Sequence, residues 1–301
     1  MKPRLVWLLL CLIWGSTWLF IKLGLKDLPP LTFAGIRFVI ASLILLSIIA
    51  VRRIPFPRRR RDVALLALTG ILSFSLNYGL VFWGEQYISS GLAALLQSML
   101  PAFGLIVAHF YLRSEPMTWP RIAGVVLGVI GVGVIFSNQL QLSSPNALWG
   151  SAALVLSALC AAYANVLVKA YCKHIDPAVL AAGQMMFGLI PLLLIGIPLE
   201  GNPFKFHWTS MAIISLLYLA IVGSVIAFNS YYWLIRNMKV TDTMMIALVT
   251  PVVAVLLGIV VLDERINWRI LAGGALIICG IGLIVTRRPK AAKNGDVLAD
   301  S

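Results

Sequence analysis

The stretch of sequence that decides the fold occurs twice in this chain. Residues 119–137 read WPRIAGVVLGVIGVGVIFS, and residues 268–286 read WRILAGGALIICGIGLIVT. Glycines stand at matching places in the two copies: Gly124, Gly131 and Gly133 in the first, and Gly273, Gly280 and Gly282 in the second. Such small-residue ridges let helix backbones approach closely inside a membrane. We therefore predict two equivalent packing helices at the periphery, each ending one half of the protein.

The repeat reaches back to the beginning of each half. Further residues have counterparts in the second copy: Lys22 with Lys169, Pro30 with Pro177, Arg37 with Gln184, Trp83 with Trp233, Pro101 with Pro251, Glu115 with Glu264, and Arg121 with Arg269 (one residue out of step). Internally duplicated membrane proteins are most often transporters, and their substrate site lies between the halves.

Composition places the chain in the membrane class. Its 301 residues are 60% apolar, and its mean hydropathy is +0.96. A helix needs about 20 apolar residues to cross the hydrocarbon core of a bilayer. We predict an all-α integral membrane protein with ten such spans: Leu5–Leu25, Leu31–Val51, Val63–Trp83, Gly91–Leu112, Trp119–Ser137, Ala147–Tyr171, Ala178–Leu199, Thr209–Tyr232, Thr241–Leu262 and Trp268–Thr286.

Five spans in each half is an odd number, so the second half inserts upside down relative to the first. We expect residues 1–137 to form the first five-helix repeat and residues 147–286 the second. Residues 138–146 are then a polar linker, and residues 287–301 a basic, disordered cytoplasmic tail. No small-x-small cleavage site follows the first span, which favours a retained helix over a signal peptide.

The net charge of +13 follows a topological pattern. With both termini in the cytoplasm, the opposite side of the membrane holds only four Lys and Arg residues: Lys26, Lys205, Arg265 and Arg269. The cytoplasmic segments then hold 17: Lys2, Arg4, Arg52, Arg53, Arg58, Arg59, Arg60, Arg61, Arg113, Arg121, Lys173, Arg236, Lys239, Arg287, Arg288, Lys290 and Lys293. This is the positive-inside bias of membrane proteins. The absence of a folded basic domain argues against a nucleic-acid partner.

Several motifs resemble the EamA family of the drug/metabolite transporter superfamily. They are Trp14-Gly15-Ser16-Thr17-Trp18, Ala34-Gly35-Ile36-Arg37-Phe38 after Pro30, the run from Ser89 to Leu96 before Pro101, the turns at Glu115 and Glu264, and the runs Gly223 to Asn229 and Leu234 to Asn237. The resemblance covers residues 5 to 286. It implies ten helices, cytoplasmic termini, a plasma-membrane location (the inner membrane in bacteria) and export of small metabolites such as amino acids.

Polar groups at membrane depth are costly, so each is a candidate for function. Arg37 lies about two turns inside its span. It either binds a substrate carboxylate or organises its neighbours. Trp14 and Trp18 share one helix face and form either an aromatic cavity wall or a packing surface. The other candidates either contact substrate or hold helices together: Thr17, Asn77, Tyr78, Gln97, Tyr163, Asn165, Asn229 and Tyr232.

Pro101 and Pro251 stand mid-span at matching places in the two halves. Proline frees a helix carbonyl and permits a bend. Each proline is therefore either a hinge or a cavity wall, or else a static kink.

The sequence contains no paired-carboxylate site, metal-ligand cluster or phosphate-binding loop, so we expect no enzyme, metal or cofactor. All carboxylates fall at span ends or in links, which leaves proton coupling and facilitated diffusion both open. We expect a secondary transporter that exports amino acids or related zwitterionic or amphipathic metabolites by alternating access. A broad-specificity drug exporter or a metabolite importer of the same fold is the alternative. The partners expected are a small-molecule substrate and the lipid bilayer, and either a monomer or an oligomer is compatible.

Overall fold

The computed structural model describes residues 3–111, 118–141, 145–237 and 246–286, and they are all-α. These residues form ten helical stretches: α1 Pro3–Gly24, α2 Pro30–Val51, α3 Arg60–Glu85, α4 Ser90–Tyr111, α5 Trp119–Gln141, α6 Pro145–Tyr171, α7 Pro177–Glu200, α8 210–237, α9 Ile246–Leu262 and α10 Trp268–Thr286. A short 3₁₀ turn, Pro203–Lys205, precedes α8.

The helices have the length and surface of membrane spans. Within the described residues, seven are long and apolar enough to cross a bilayer, and three shorter apolar helices lie in α5, α9 and α10. Large apolar side chains face outward, among them Leu194 at 70% exposure and Val260 at 76%. Only a lipid environment makes such a surface favourable over so many helices. The chain is a multi-pass membrane protein.

The helix boundaries follow local capping chemistry. Pro30 and Pro177 occupy the first turns of α2 and α7, where the missing N–H costs nothing. The side chain of Ser89 accepts a hydrogen bond from the Leu92 amide at the start of α4, and Thr209 does the same for Ala212 at the start of α8. Both are ordinary N-cap interactions.

The predicted linker 138–146 differs from the structure. Helix α5 runs on to Gln141 and α6 begins at Pro145. The uncharged residues after Ser137 include no helix breaker, so the helix continues until shortly before the proline that starts the next one. Residues 142–144, 241–245 and 287–301, which the predictions assigned to the linker, the ninth span and the tail, lie outside the described residues.

The contacts between helices have an internal symmetry. Helix α5 packs on α10, and α2 packs on α7. Helix α1 packs on α8 and α9, while α6 packs on α3 and α4. Adding five to each helix number in the first half, or subtracting five in the second, converts these contacts into one another. The duplication seen in the sequence is therefore also a property of the packing.

The α5–α10 contact uses the matched glycines. A β-carbon built on Gly131 would lie 2.5 Å from the carbonyl oxygen of Gly273, and one on Gly273 would lie 2.6 Å from that of Gly131. Gly124 and Gly280 form the other reciprocal pair. No side chain fits at these four positions, because the two backbones are already in contact.

Three helices depart from regular geometry. Both α3 and α8 contain a π-helical segment, at Ile71–Asn77 and Tyr218–Ile226. These segments occupy matching places in the two halves. Helix α4 is interrupted at residues 98–99, just before Pro101, whereas α9 continues through Pro251. The two prolines therefore have different effects in this conformation, and a hinge role for either one stays a prediction.

Replacing Gly131 with alanine should destabilise the protein. The new methyl group meets the Gly273 carbonyl, so α5 and α10 must separate, at a cost of about 1–3 kcal/mol. Gly133→Ala is the matched control, because no heavy atom lies within 4 Å of a β-carbon built there. Thermal unfolding in detergent should show a lower melting temperature for Gly131→Ala only. Equal melting temperatures for the two variants would contradict this description of the contact.

Candidate functional site

The candidate site lies where α1, α2 and α3 of the first half meet α8 of the second. Both π-helical segments border this region, and α2 and α1 each pack on the π segment of α8. A π segment adds a residue to a helical turn and is frequent at functional sites. The irregular turns therefore occur at the interface between the halves and not in the peripheral α5–α10 pair.

Arg37 on α2 connects the two halves. Its side chain is 1% exposed, and its Nε donates a hydrogen bond to Ser224 Oγ, in the π segment of α8, at 3.2 Å. Its Nη1 has no hydrogen-bond partner among the described residues. A buried charge is costly unless it is compensated. In this conformation the buried guanidinium links α2 to α8. Of the two roles predicted for Arg37, this corresponds to organising its neighbours.

Aromatic rings supply the remaining compensation. The guanidinium carbon of Arg37 lies 4.9 Å from the ring centroid of Tyr78, 5.2 Å from that of Phe38 and 6.0 Å from that of Phe82. Each contact is a cation–π interaction, typically of about 0.5–2 kcal/mol. Tyr78, one of the predicted site residues, is thus placed directly against Arg37.

These rings are part of a larger aromatic array, which we define as Trp14, Phe38, Phe74, Tyr78, Phe82 and Phe228. Phe74 on α3 contacts Phe228 on α8 with ring centroids 5.9 Å apart. Trp14 on α1 contacts the other side of Phe228 at 6.0 Å. The array therefore passes continuously from α2 through α3 and α8 to α1 and crosses the interface between the halves.

Helix α1 approaches α8 closely at the same level. Thr17 is buried, and its methyl carbon would lie 2.9 Å from a β-carbon on Gly223. The hydroxyls of Ser16 and Tyr218 share a hydrogen bond of 2.6 Å between the halves. Trp18 is half-buried and packs on the main apolar core. Of the two predicted tryptophans, Trp14 contacts the second half through the array, whereas Trp18 belongs to the core.

A chain of polar side chains connects α3, α4 and α6. Gln97 donates from Nε2 to Asn77 Oδ1 at 3.0 Å and accepts from Ser157 Oγ at 2.6 Å. Asn77 in turn donates to the Ser73 carbonyl at 3.1 Å. The structure thus brings together two of the predicted amides and adds Ser157. Gln97 is half-buried.

Three further predicted residues have other surroundings. Tyr163 shares a hydrogen bond with Tyr111 across α6 and α4. Asn165 is exposed on α6. Asn229 donates to the Val225 carbonyl of its own helix at 2.8 Å. The side chain of Tyr232 lies outside the part of the protein that the structure describes.

An apolar groove opens on the outside of α1, α8 and α9. It has a volume of about 520 Å³. Nine residues line it: Leu9, Leu12, Ile13, Ser16, Tyr218, Val222, Ile226, Val253 and Leu257. The Ser16 and Tyr218 hydroxyls are its polar groups, and they already bond each other. The groove is suited to an apolar molecule and not to an ion.

One end of the bundle, which we call the acidic end, carries carboxylates that bond across the halves. It comprises the links α1–α2, α3–α4, α7–α8 and α9–α10. Glu200 accepts from the backbone amides of Leu31 and Thr32 at 2.8 and 2.7 Å. Glu264 accepts from those of Ser90 and Gly91 at 2.7 and 3.2 Å. A carboxylate at a helix N-terminus satisfies free amides and complements the helix dipole.

A third carboxylate bonds in the opposite sense, from the first half to the second. Asp27 accepts from the Thr209 hydroxyl at 2.6 Å and lies 3.3 Å from His207 Nδ1. The hydrogen bond from Thr209, followed by that from His207, holds the pKa of Asp27 below its ordinary value. In this conformation the halves are therefore joined at the acidic end by three carboxylates, of which the sequence analysis singled out only Glu264, as part of a family motif.

Sequence reasoning also missed the π segments, Ser224 and Ser157. The available signal was small polar residues in mid-span, such as Ser73 and Ser75 in α3 and Ser224 beside Gly223 in α8. Among the described residues there is no group of three or more His, Cys, Asp or Glu side chains that could hold a metal ion. Within the described residues, the arrangement combines aromatic rings with a few hydrogen-bonding side chains.

Arg37→Ala should abolish transport. The substitution removes the bond to Ser224 and the contacts to three rings, and the cavity it leaves weakens the junction of the halves. Ser224→Ala keeps the ring contacts and removes two hydrogen bonds, the one from Arg37 and the one that Ser224 Oγ donates to the Leu219 carbonyl. A smaller loss of about 1–3 kcal/mol in stability and partial flux are therefore expected. Flux is measured per folded molecule, with folding judged by elution of a monodisperse species. A fully active Arg37→Ala variant would exclude this residue from the site.

The sequence of this chain resembles those of known membrane transporters. The profile of the EamA-like transporter family matches residues 2–137 and 148–286. YoaV, an uncharacterized transporter of Bacillus subtilis, is 31% identical over 90% of this chain and 92% of its own length. YedA, an uncharacterized inner membrane transporter of Escherichia coli, is 31% identical over 83% of this chain and 79% of its own length.

Two further similarities span nearly the whole chain. A protein of Escherichia coli described as a probable amino-acid metabolite efflux pump is 26% identical over 98% of this chain and 99% of its own length. A solved crystal structure, 18% identical, superimposes with a TM-score of 0.65 over 94% of this chain and 96% of its own length, which supports the same fold. With both halves matched by one family profile, this chain belongs to the EamA-like transporter family.

Proposed function

We propose that this protein is a secondary transporter, not an enzyme, and that it exports small metabolites by alternating access. In this proposal all ten helices cross the membrane and form two inverted repeats, residues 1–137 and 147–286. The protein lies in the plasma membrane, and both of its termini face the cytoplasm. The acidic end then faces outward, which agrees with the positive-inside distribution of Lys and Arg.

The observation that carries the proposal is the interface between the halves. The helix contacts are related by exchange of the two halves, as an inverted repeat requires. The irregular helix segments, the buried cation and the aromatic array all lie where the halves meet. A site in this position becomes open to one side or the other when the halves rearrange about it.

The substrate class follows from the groups present. Aromatic rings favour an apolar or aromatic portion of the substrate, whereas the half-buried Gln97 amide, which has one N–H not used by Asn77, can bond a polar portion. When the halves rearrange, the Nη1 group of Arg37 supplies a donor for a carboxylate. An amino acid or a related zwitterionic or amphipathic compound combines these features. The description of the Escherichia coli relative as a probable amino-acid metabolite efflux pump supports the same class.

The apolar groove favours a second candidate, a broad-specificity exporter of hydrophobic drugs. Its lining by α1, α8 and α9 side chains would admit an apolar compound from the bilayer. An organic cation fits less well, because the charge within the aromatic array is the positive charge of Arg37. A metabolite importer with the same architecture is the remaining alternative.

Flux through purified protein in liposomes tests the proposal. Proteoliposomes loaded with a panel of labelled amino acids should release at least one of them faster than liposomes without protein, and excess unlabelled compound should saturate the release. If none of the amino acids moves but hydrophobic dyes do, the drug-exporter alternative replaces it. If the protein moves neither class, the proposed function is wrong.

Trp14→Ala should change substrate preference more than it changes protein level. The indole contacts Phe228 and Tyr231 on α8, with ring centroids 6.0 and 5.3 Å away. Its loss opens the aromatic array without removing a hydrogen bond between the halves. Trp7→Ala, on the same helix nearer its start, is the comparison variant. Competition of the amino-acid panel against one labelled substrate gives the ranking. An unchanged ranking with reduced folded protein would assign Trp14 to packing alone.

A further inference from the structure

Glu85, the last residue of α3, is a buried carboxyl group that the proposed transport site does not use. Its side chain is 0% exposed, and neither carboxylate oxygen has a hydrogen-bond partner among the described residues. Solution is close by, because the next residue, Gln86, is exposed. An ionised carboxylate without donors is very unfavourable in such a place.

The nearest cation does not satisfy Glu85. The Lys22 ammonium on α1 donates to the backbone carbonyls of Glu85, Gln86 and Ile88 at 2.5, 3.4 and 2.6 Å. An ammonium group has three hydrogens, and these three carbonyls account for all of them. Lys22 therefore caps the C-terminal end of α3 and leaves no donor for the carboxyl group of Glu85.

The positive charge of Lys22 favours ionised Glu85, but the other charges nearby oppose it. Glu264, from the α9–α10 link, is the second charged group that acts on it. That carboxylate is already bonded to the amides of Ser90 and Gly91. The C-terminal end of a helix carries partial negative charge, which opposes a second anion there. The residues that α2 and α6 place against this part of α3 are uncharged: Phe33, Gly150 and Leu154.

The charges of the cluster balance only if Glu85 is neutral. Lys22 contributes one positive charge and Glu264 one negative charge. An ionised Glu85 would therefore leave a net negative charge in a closed region that offers it no hydrogen bond. With a proton on Glu85 the net charge of the cluster is zero. What then lacks a hydrogen-bond partner is a neutral O–H group, which is less costly to bury than a charge.

We propose that Glu85 is a proton-binding residue that controls the acidic end: its carboxyl group holds a proton while that end is closed and releases the proton to solution when the end opens. Opening lets water reach Glu85, and the ionised form then becomes stable. The equilibrium between closed and open acidic ends therefore depends on pH, with acid favouring the closed form. The assignment deepens the proposed function and rests on it for its role in transport.

No equivalent group exists in the second half, because the residue that matches Glu85 at the 150-residue spacing of the two tryptophans is Ile235. Protonation of Glu85 would therefore act on the acidic end alone. In the proposed topology that end faces the outer solution, so external pH sets how readily the transporter closes on its outer side.

Cysteine accessibility tests the proposal without any substrate. Ile88 is 5% exposed and Tyr87 is 39% exposed. Each is replaced by cysteine, singly, in a background in which Cys11, Cys160, Cys172 and Cys279 are serine or alanine. Purified protein in detergent is labelled with a hydrophilic maleimide from about pH 5 to 9. The ratio of the Ile88→Cys rate to the Tyr87→Cys rate reports opening, and the same ratio in the Glu85→Gln variant is the control for the different ionisation of the two thiols.

The labelling ratio should rise with pH, by up to about tenfold per pH unit where Glu85 titrates. With Glu85→Gln, which is always neutral, the ratio should stay low and flat. Asp263→Asn, which removes an exposed carboxylate at the same end, should retain the rise. Glu85→Met provides a second neutral variant if the glutamine variant does not fold.

Two results would overturn the assignment. One is a ratio that does not change with pH in the parent protein, and the other is an undiminished rise in the neutral variants. Because labelling requires no solute to move, failure to find a transported compound would leave this result intact. In the same way, a flat labelling ratio would leave the transport proposal standing.

Discussion

Hydrocarbon offers no hydrogen bonds, so a chain that crosses a membrane must satisfy every backbone N–H and C=O group from within the protein. Regular helices do this along most of this molecule. The exceptions are the helix ends and the irregular turns, and there side chains from other helices take part. Glu200 and Glu264 bond the amides that begin α2 and α4, and Lys22 bonds the carbonyls that end α3. Two of these three contacts join one half to the other. The hydrogen bonds that satisfy these backbone groups therefore also fix the position of one half relative to the other.

The interface between the halves combines rigid and adjustable contacts. At the periphery, the α5–α10 glycines bring two backbones together and allow little variation. Near the site, by contrast, single hydrogen bonds and ring contacts cross the interface, as between Arg37 and Ser224 and between Ser16 and Tyr218. Such contacts exchange more easily than close backbone packing. Alternating access would then use the peripheral pair as a fixed support and the site as the part that changes.

Sequence reasoning predicted the helices well, because their signals are local and strong. The predicted spans that begin at Leu31, Ala178 and Thr209 start within a few residues of helices α2, α7 and α8. The matched glycines predicted close helix packing, and the structure shows that packing between α5 and α10. The family resemblance, drawn from motifs such as that at Trp14 to Trp18, is confirmed by the family profile.

The site was less accessible to sequence reasoning, because partners of a side chain depend on tertiary packing. Arg37, Tyr78, Asn77 and Gln97 were named as candidates, but their grouping into an aromatic array and a polar chain required the fold. Asn229 shows the limit, since its amide bonds its own helix. Glu85 was placed at a helix end, where a carboxylate is ordinarily solvated. Only the packing of the neighbouring helices around it makes it a buried group.

A distance measurement across the acidic end tests most directly whether the two halves rearrange about their interface. Spin labels at exposed Gln86 in the first half and Arg265 in the second, with the protein in lipid nanodiscs, would report that separation by double electron–electron resonance. We predict two populations of distances, with proportions that change when an amino-acid mixture is added. A single distance that no solute changes would contradict alternating access between these halves.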